Sequence, residues 1–219
     1  RPARAPTEHE GHQHVSSMIT ERPILFSAPM VRAIIDGTKT QTRRIVKVRG
    51  VDFIGGAGQQ NDPDAWGYEN PRAEGYLTLK NGIPCPYGKT GDHLWVRETH
   101  FISDEEHEAV GGAILTSVEP KVYYKADDKD LRAWPGWRPS IYMPRWASRI
   151  TLEVESVRVE RLQAISEADA IAEGIKPFPS IPSKIPVMQY QDLWESINGP
   201  GSWEANPWVW VITFKRVKP

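Results

Sequence analysis

The sequence predicts a mixed fold, mostly β with some α: a strand-built scaffold carrying short peripheral helices and broken by two long insertions. Three observations predict it. Apolar residues alternate with period two around 150–159 and 207–217, as in buried strands. Helical spacing is confined to short stretches that stop at glycine. Two segments, about 50–82 and 103–136, break the pattern with turn-forming and charged residues and read as long loops or small hairpins.

The elements follow in chain order. Ile24-Leu25-Phe26 is a short apolar run of strand length. Ser27 can cap a helix, Pro29 suits its first turn, Met30, Val31, Ile34 and Ile35 recur at helical spacing, and Gly37 is a stop. Thr42 to Val48 reads as a second strand. Gly91-Asp92 signals a turn before a strand from His93 to Phe101. Within the second insertion, Lys121 to Lys125 reads as one strand. Ile150, Leu152 and Val154 alternate, then the phase shifts to Val157 and Val159. A bulge at Glu155-Ser156 accounts for that shift and is common where barrels bend. Ser166-Glu167-Ala168-Asp169 is a capping-box variant opening a helix that Gly174 stops. The connector Pro177 to Pro186 carries four prolines and is expected to be extended. Tyr190, Leu193, Trp194 and Ile197 mark one face of a further helix. In Pro207 to Val217, Trp208, Trp210, Ile212 and Phe214 alternate with Val209 and Val211, a strand buried on closing the sheet, so both tryptophans are assigned to the core.

The stretch most suggestive of chemistry is Gly37-Thr38-Lys39-Thr40-Gln41-Thr42-Arg43-Arg44. Alternation puts Thr42 and Arg44 on one face of the strand, with Lys39 at the turn into it. An amine, a hydroxyl and a guanidinium on one pocket suit an oxygen-rich ligand such as a nucleotide, and also nucleophilic chemistry. A solvated basic edge, including Arg43, is the other reading of the same charges.

These residues carry a resemblance. Phe26, the helix ending in Asp36-Gly37, and Gly37-x-Lys39-x-x-Thr42-x-Arg44 resemble the ASCH domain family. The phage-type branch is similar in the order of four blocks: Leu25 to Arg44, Gly91-Asp92-x-Leu94-Trp95-Val96-Arg97-Glu98, Ile165 to Gly174, and a Trp-rich C-terminal strand. The resemblance implies a PUA-like β-barrel and a link to RNA or modified-base recognition. It also implies candidate catalytic residues, because a small bacterial member is an N(4)-acetylcytidine amidohydrolase. Its catalytic lysine, threonine and glutamate fall on Lys39, Thr42 and Glu173, and Arg44 matches an arginine that follows the threonine.

Glu173 also stands out on physical grounds. It lies in the last turn of its helix, where the dipole disfavours a carboxylate. A proton carrier or a partner for Lys39 would explain it; an exposed glutamate on a short helix is the plainer alternative. In the implied chemistry Thr42 is the nucleophile, which needs an adjacent base. Lys39 is that base if burial keeps it neutral, or else an oxyanion-stabilising cation. Glu173 shuttles the proton to the departing amine, and Arg44 holds the substrate's polar edge.

Further substrate-binding candidates are Arg43, Arg97 and Glu98, the last two on opposite faces of one strand. Trp137 and Arg145 belong to the loops Trp137-Arg138-Pro139-Ser140 and Met143-Pro144-Arg145-Trp146, which interleave arginine with tryptophan. Such loops suit an unpaired base; an aromatic loop packed under an insertion is the alternative.

Composition narrows the classes. With 219 residues, 39 % hydrophobic and nine tryptophans, the chain can build a sizeable core. A net charge of -1 excludes a uniformly basic nucleic-acid coat but not a local patch. No apolar run reaches the length of a membrane span, so no membrane partner is expected. The single cysteine, Cys85, excludes an intramolecular disulfide and a thiolate zinc cluster, fits a cytoplasmic setting, and reads as structural. There is no Walker lysine loop, dinucleotide fingerprint or metal-ligand cluster, so no cofactor is expected. Residues 1–17, with His9, His12 and His14, read as a disordered tail or cloning-derived residues without a secretory h-region; metal binding is the lesser alternative. Residues 18–219 then form a single domain with insertions at about 50–82 and 103–136. Its expected activity is hydrolysis of an acylated cytosine nucleoside or related modified base. Two alternatives are a non-catalytic reader of RNA or a modified nucleotide, and a phage accessory protein that binds another protein.

Overall fold

A computed structural model describes residues 19–103, 109–110, 113–114, 120–128, 136–176 and 185–217. The histidine-bearing tail and most of the proline connector lie outside these residues. In chain order come β1 (Glu21–Leu25), α1 (Ala28–Ile35), β2 (Gln41–Ile45), β3 (Asp52–Phe53), β4 (Trp66–Glu69), β5 (Tyr76–Thr78), β6 (His93–Arg97) and β7 (His100–Ser103). Then follow β8 (Ala109–Val110), β9 (Ala113–Ile114), β10 (Lys121–Tyr124), β11 (Thr151–Arg161), α2 (Glu167–Ala172), α3 (Ile185–Asn198) and β12 (Trp208–Val217).

Five strands form the main sheet in the order β1-β6-β11-β12-β2, with β1 parallel to β6 and the remaining pairs antiparallel. The first insertion folds as the three-stranded sheet β3-β4-β5. The second contributes β8, β9 and β10, more strand than its sequence pattern suggests. The register shift between Val154 and Ser156 is the expected bulge. Three boundaries differ from the sequence reading. The strand expected from His93 to Phe101 breaks after Arg97, where Glu98 turns inward to Arg149 and the chain leaves to pair with β10. The second strand ends at Ile45, short of Val48. The last helix starts at Ile185, so Pro186 occupies its first turn, a position proline tolerates.

β12 explains the burial pattern. Its even positions, Trp208, Trp210, Ile212 and Phe214, pack with Phe26, Leu94, Leu152 and Val154 in one core. Its odd positions, Val209 and Val211, face a second core built by Leu162, Ala170, Tyr190 and Trp194 around α2 and α3. Where the strand is covered on both sides, from Trp208 to Ile212, its sequence is a continuous apolar run.

The sheet is open: among the described residues no strand pairing joins the edge strands β1 and β2. Side chains bridge the gap instead. Arg44 donates from Nη2 to Leu25 O at 2.7 Å and lies 5.2 Å over the Phe26 ring, which is 6.1 Å from Phe214. Among the described residues no helix is long and apolar enough to cross a membrane.

Because Trp208 and Trp210 are buried, Trp208→Ala should lower unfolding free energy by about 3–5 kcal/mol, as a large-to-small core change does. Chemical denaturation measures this directly. An unchanged midpoint would mean that the strand is not packed on both faces.

Candidate functional site

The site is assembled by two helix ends and one strand. α1 stops at Gly37, whose φ of +74° closes the turn, and the amides of Thr38 and Lys39 both donate to Ala33 O. The chain then enters β2. α2 starts at Ser166 with a complete capping box to Asp169 and ends with Glu173 as its C-cap. Lys39 and Glu173 form an isolated antiparallel bridge, and Thr40 N donates to Ala172 O at 2.8 Å. Gly174 has φ +95°, and a Cβ there would come within 3.2 Å of Ala33 Cβ and 3.3 Å of Lys39 Cβ. Glycine is thus required for this close approach.

Lys39 is 2 % exposed. Its Nζ donates to Glu173 Oε2 at 2.7 Å, to Glu173 O at 2.8 Å and to Gln41 O at 2.8 Å. Burial pushes the Lys39 amine below its ordinary range, and the Glu173 charge pulls it back. Three acceptors, one a carboxylate, match the three N–H bonds of an ammonium.

Strand alternation puts Gln41 and Arg43 on the face opposite Thr42. Arg43 has a fully buried side chain and reaches Gln41 Oε1 at 2.6 Å, Glu160 Oε1 at 2.5 Å, Asp169 Oδ2 at 3.3 Å and Glu173 Oε1 at 3.4 Å. Burial pushes the Asp169 carboxyl up, but hydrogen bonds from Gln41 and Ser166 and the Arg43 charge outweigh it, leaving it at about 2. Tyr190 of α3 lies beside this network. Burial, reinforced by the Glu173 carboxylate, raises its phenol well above the ordinary value, so it stays a neutral hydroxyl.

A cavity of about 290 Å³ opens next to these groups, near the lower end of small-molecule sites. Thr42, Arg43, Arg44 and Glu173 line it, with Met30, Tyr87, Tyr190, Trp194 and Trp210 among its other walls. The structure thus gathers four of the sequence-predicted residues. Lys39 is not on the wall; it sits behind Glu173 and touches the cavity only through that carboxylate. The remaining candidates do not line this cavity. Arg97 stacks 5.3 Å from the Trp95 ring and donates to Ile141 O and Met143 O. Glu98, 1 % exposed, is bound by both Arg149 nitrogens, Nε at 2.9 Å and Nη2 at 3.1 Å, and is consumed as that partner. Arg145 pairs with Glu21 at 2.9 Å, and Trp137 is half-buried in the loop leading to β11. For these four, local sequence showed aromatic and charged residues but not which surface the loop would meet.

Sequence reasoning also missed residues. Tyr190 and Trp194 were assigned to an apolar helix face, which they are, yet the same face borders the cavity. Gln41 and Asp169 are network members whose only sequence signal was their place beside Thr42 and in the capping box. Among the described residues no group of three or more His, Cys, Asp and Glu could hold a metal ion. Burial raises the Cys85 thiol to about 11, so it is unreactive at neutral pH.

No protein-family model, curated protein or solved structure significantly matches this chain.

Two outcomes are expected. Lys39→Met leaves Glu173 a buried carboxylate with Arg43 and the Tyr190 hydroxyl but without its ammonium, and should cost about 3–5 kcal/mol in denaturation, as broken buried pairs do. Asp169 has its carboxyl depressed from 3.8 to about 2. The stability it adds is present above pH 4 and is lost as pH falls through the folded value. Asp169→Asn should therefore flatten the acid limb of the stability curve between about pH 4 and 2.

Proposed function

We propose that this chain is an amidohydrolase that removes an acyl group from the exocyclic nitrogen of a cytosine nucleoside or a related modified base, on a PUA-like domain of the ASCH type. One observation carries the reading. Thr42, Arg44 and Glu173 border a single small-molecule cavity, although Glu173 comes from a motif 134 positions from Lys39, to which it is bound. The curled, side-chain-bridged sheet is consistent with a PUA-like scaffold whose edges approach without pairing.

In this reading Thr42 Oγ attacks the acyl carbon while its proton passes, through one water in the cavity, to the Glu173 carboxylate. The carbon–nitrogen bond breaks as Glu173 returns that proton to the exocyclic nitrogen, and the cytosine amine leaves. Water, deprotonated by Glu173, then attacks the acyl ester on Thr42. The carboxylic acid departs and Thr42 regains its proton from Glu173. Arg44, anchored on Leu25 O and Phe26, turns its remaining donors to the polar edge or the oxyanion. Lys39 is a positioning residue here: with Arg43 it fixes the carboxylate, and it does not reach the substrate.

A second reading is a non-catalytic reader of a modified nucleotide in the same cavity. Lys39 favours it, since all its donors are engaged and none is turned to a ligand.

The purified protein should release cytidine and acetate from N(4)-acetylcytidine, followed by chromatography. Thr42→Ala and Glu173→Gln should abolish turnover, while Thr42→Ala retains nucleoside binding. Arg44→Ala should weaken binding by about tenfold or more, as for a lost charged hydrogen bond. Binding without any turnover by the wild type leaves the reader. Turnover that survives Thr42→Ala removes the covalent step and leaves attack by water.

A further inference from the structure

β2 is an edge strand, and the cavity wraps around that edge. Thr42 and Arg44 line it from one face of the strand, Arg43 and Ile45 from the other. Residues of both faces can border one space only if the strand's open edge faces that space. The ladder shows which main-chain groups point there. Val46 N donates to Trp208 O and Phe214 N donates to Thr40 O, both at 2.9 Å, in the register that opposes Thr42 to Ile212 and Arg44 to Trp210. Hydrogen-bonded pairs alternate along an antiparallel ladder, so the even positions of β2 bond to β12. Gln41, Arg43 and Ile45 turn their N–H and C=O groups to the open edge.

At Gln41 this edge is already occupied, because its carbonyl accepts from Lys39 Nζ. Arg43 is the next position. Its side chain is clamped underneath by Gln41, Glu160, Asp169 and Glu173, which holds its backbone still. Within one extended residue N–H and C=O point the same way, a donor beside an acceptor.

We propose that the main chain of Arg43 reads the hydrogen-bonding edge of a cytosine-type base. The Arg43 N–H donates to the ring nitrogen N3, and the Arg43 C=O accepts from the exocyclic N–H next to it. This rests on the proposed activity for the identity of the base and adds to it how the base is recognised and oriented. The contact sets the exocyclic nitrogen against the strand beside Thr42. A base whose N3 is methylated cannot make it, because the methyl group occupies the line of the hydrogen bond.

The test combines binding and amide exchange on the intact chain. Cytidine and 3-methylcytidine are titrated by calorimetry, and exchange of the β2 amides is followed by nitrogen-15 NMR. In the free protein the Arg43 amide should exchange faster than the ladder-bonded amides of Thr42 and Arg44. Saturating cytidine should slow Arg43, and 3-methylcytidine should bind at least about tenfold more weakly and leave Arg43 unchanged. Arg44→Ala should lower both affinities and preserve their ratio, since the discrimination lies in the main chain. Cytidine binding that leaves Arg43 exchange unaltered overturns the proposal, as does 3-methylcytidine binding within about twofold of cytidine, or no cytidine binding at millimolar concentration. Turnover of N(4)-acetylcytidine is scored separately. Turnover without the exchange signature rejects the edge contact and keeps the enzyme; the signature without turnover does the reverse.

Discussion

The ammonium of Lys39 is the constraint around which the site is arranged. A cation 2 % exposed must find acceptors, and it finds a carboxylate and two main-chain carbonyls, one from β2 and one from the end of α2. That single group joins three pieces of chain, the turn after α1, the start of β2 and the C-cap of α2. It also resolves the awkward position of Glu173. A carboxylate at a helix C-terminus is disfavoured by the dipole, but here an ammonium sits between the helix's last carbonyl and the side chain and compensates both. The close approach would crowd a Cβ at residue 174, and its φ of +95° disfavours one, so the glycine that stops the helix also serves the packing.

Arg43 extends the same logic to the other face of β2. Its guanidinium spans Glu160 on β11 and Asp169 and Glu173 on α2, with Gln41 filling a further acceptor position. Lys39 and Arg43 thus hold Glu173 from two sides, one on each carboxylate oxygen. A carboxylate clamped in this way keeps one geometry, although buried pairs recover little stability beyond their desolvation cost. Tyr190 and Trp194 line the cavity beside this network.

Much of this was legible in the sequence, for reasons that differ from element to element. The glycine stops at Gly37 and Gly174, the capping box at Ser166, the bulge near Glu155 and the two-sided burial of β12 are local features, set by neighbours along the chain. The pairing of Lys39 with Glu173 is not local. It was suggested by an unfavourable helix position and a motif resemblance, and the fold supplies the contact. Arg97, Glu98, Arg145 and Trp137 have the residue types of a ligand site, yet none lines the candidate cavity, and Arg97, Glu98 and Arg145 are engaged with other partners. Residue chemistry without topology did not show which surface these side chains would meet. Lys39 was expected to share one pocket with Thr42 and Arg44, and it does not line the cavity. Its position beside Thr42 in sequence suggested reach to the substrate, but bending at the α1 turn sends Nζ behind the wall.

The first insertion has a place in the same arrangement. Trp210 lines the candidate site and also a second cavity of about 480 Å³, whose other walls include Pro63, Leu79, Lys80, Ile83 and Cys85. The chain leaving the insertion continues through Pro86 and Tyr87, which line the first cavity. One tryptophan therefore separates the candidate site from the space under the insertion, and one stretch of chain borders both. The buried charges around β2 hold Glu173 in place, and aromatic residues of β12, α3 and the chain that follows the insertion wall the cavity beside it.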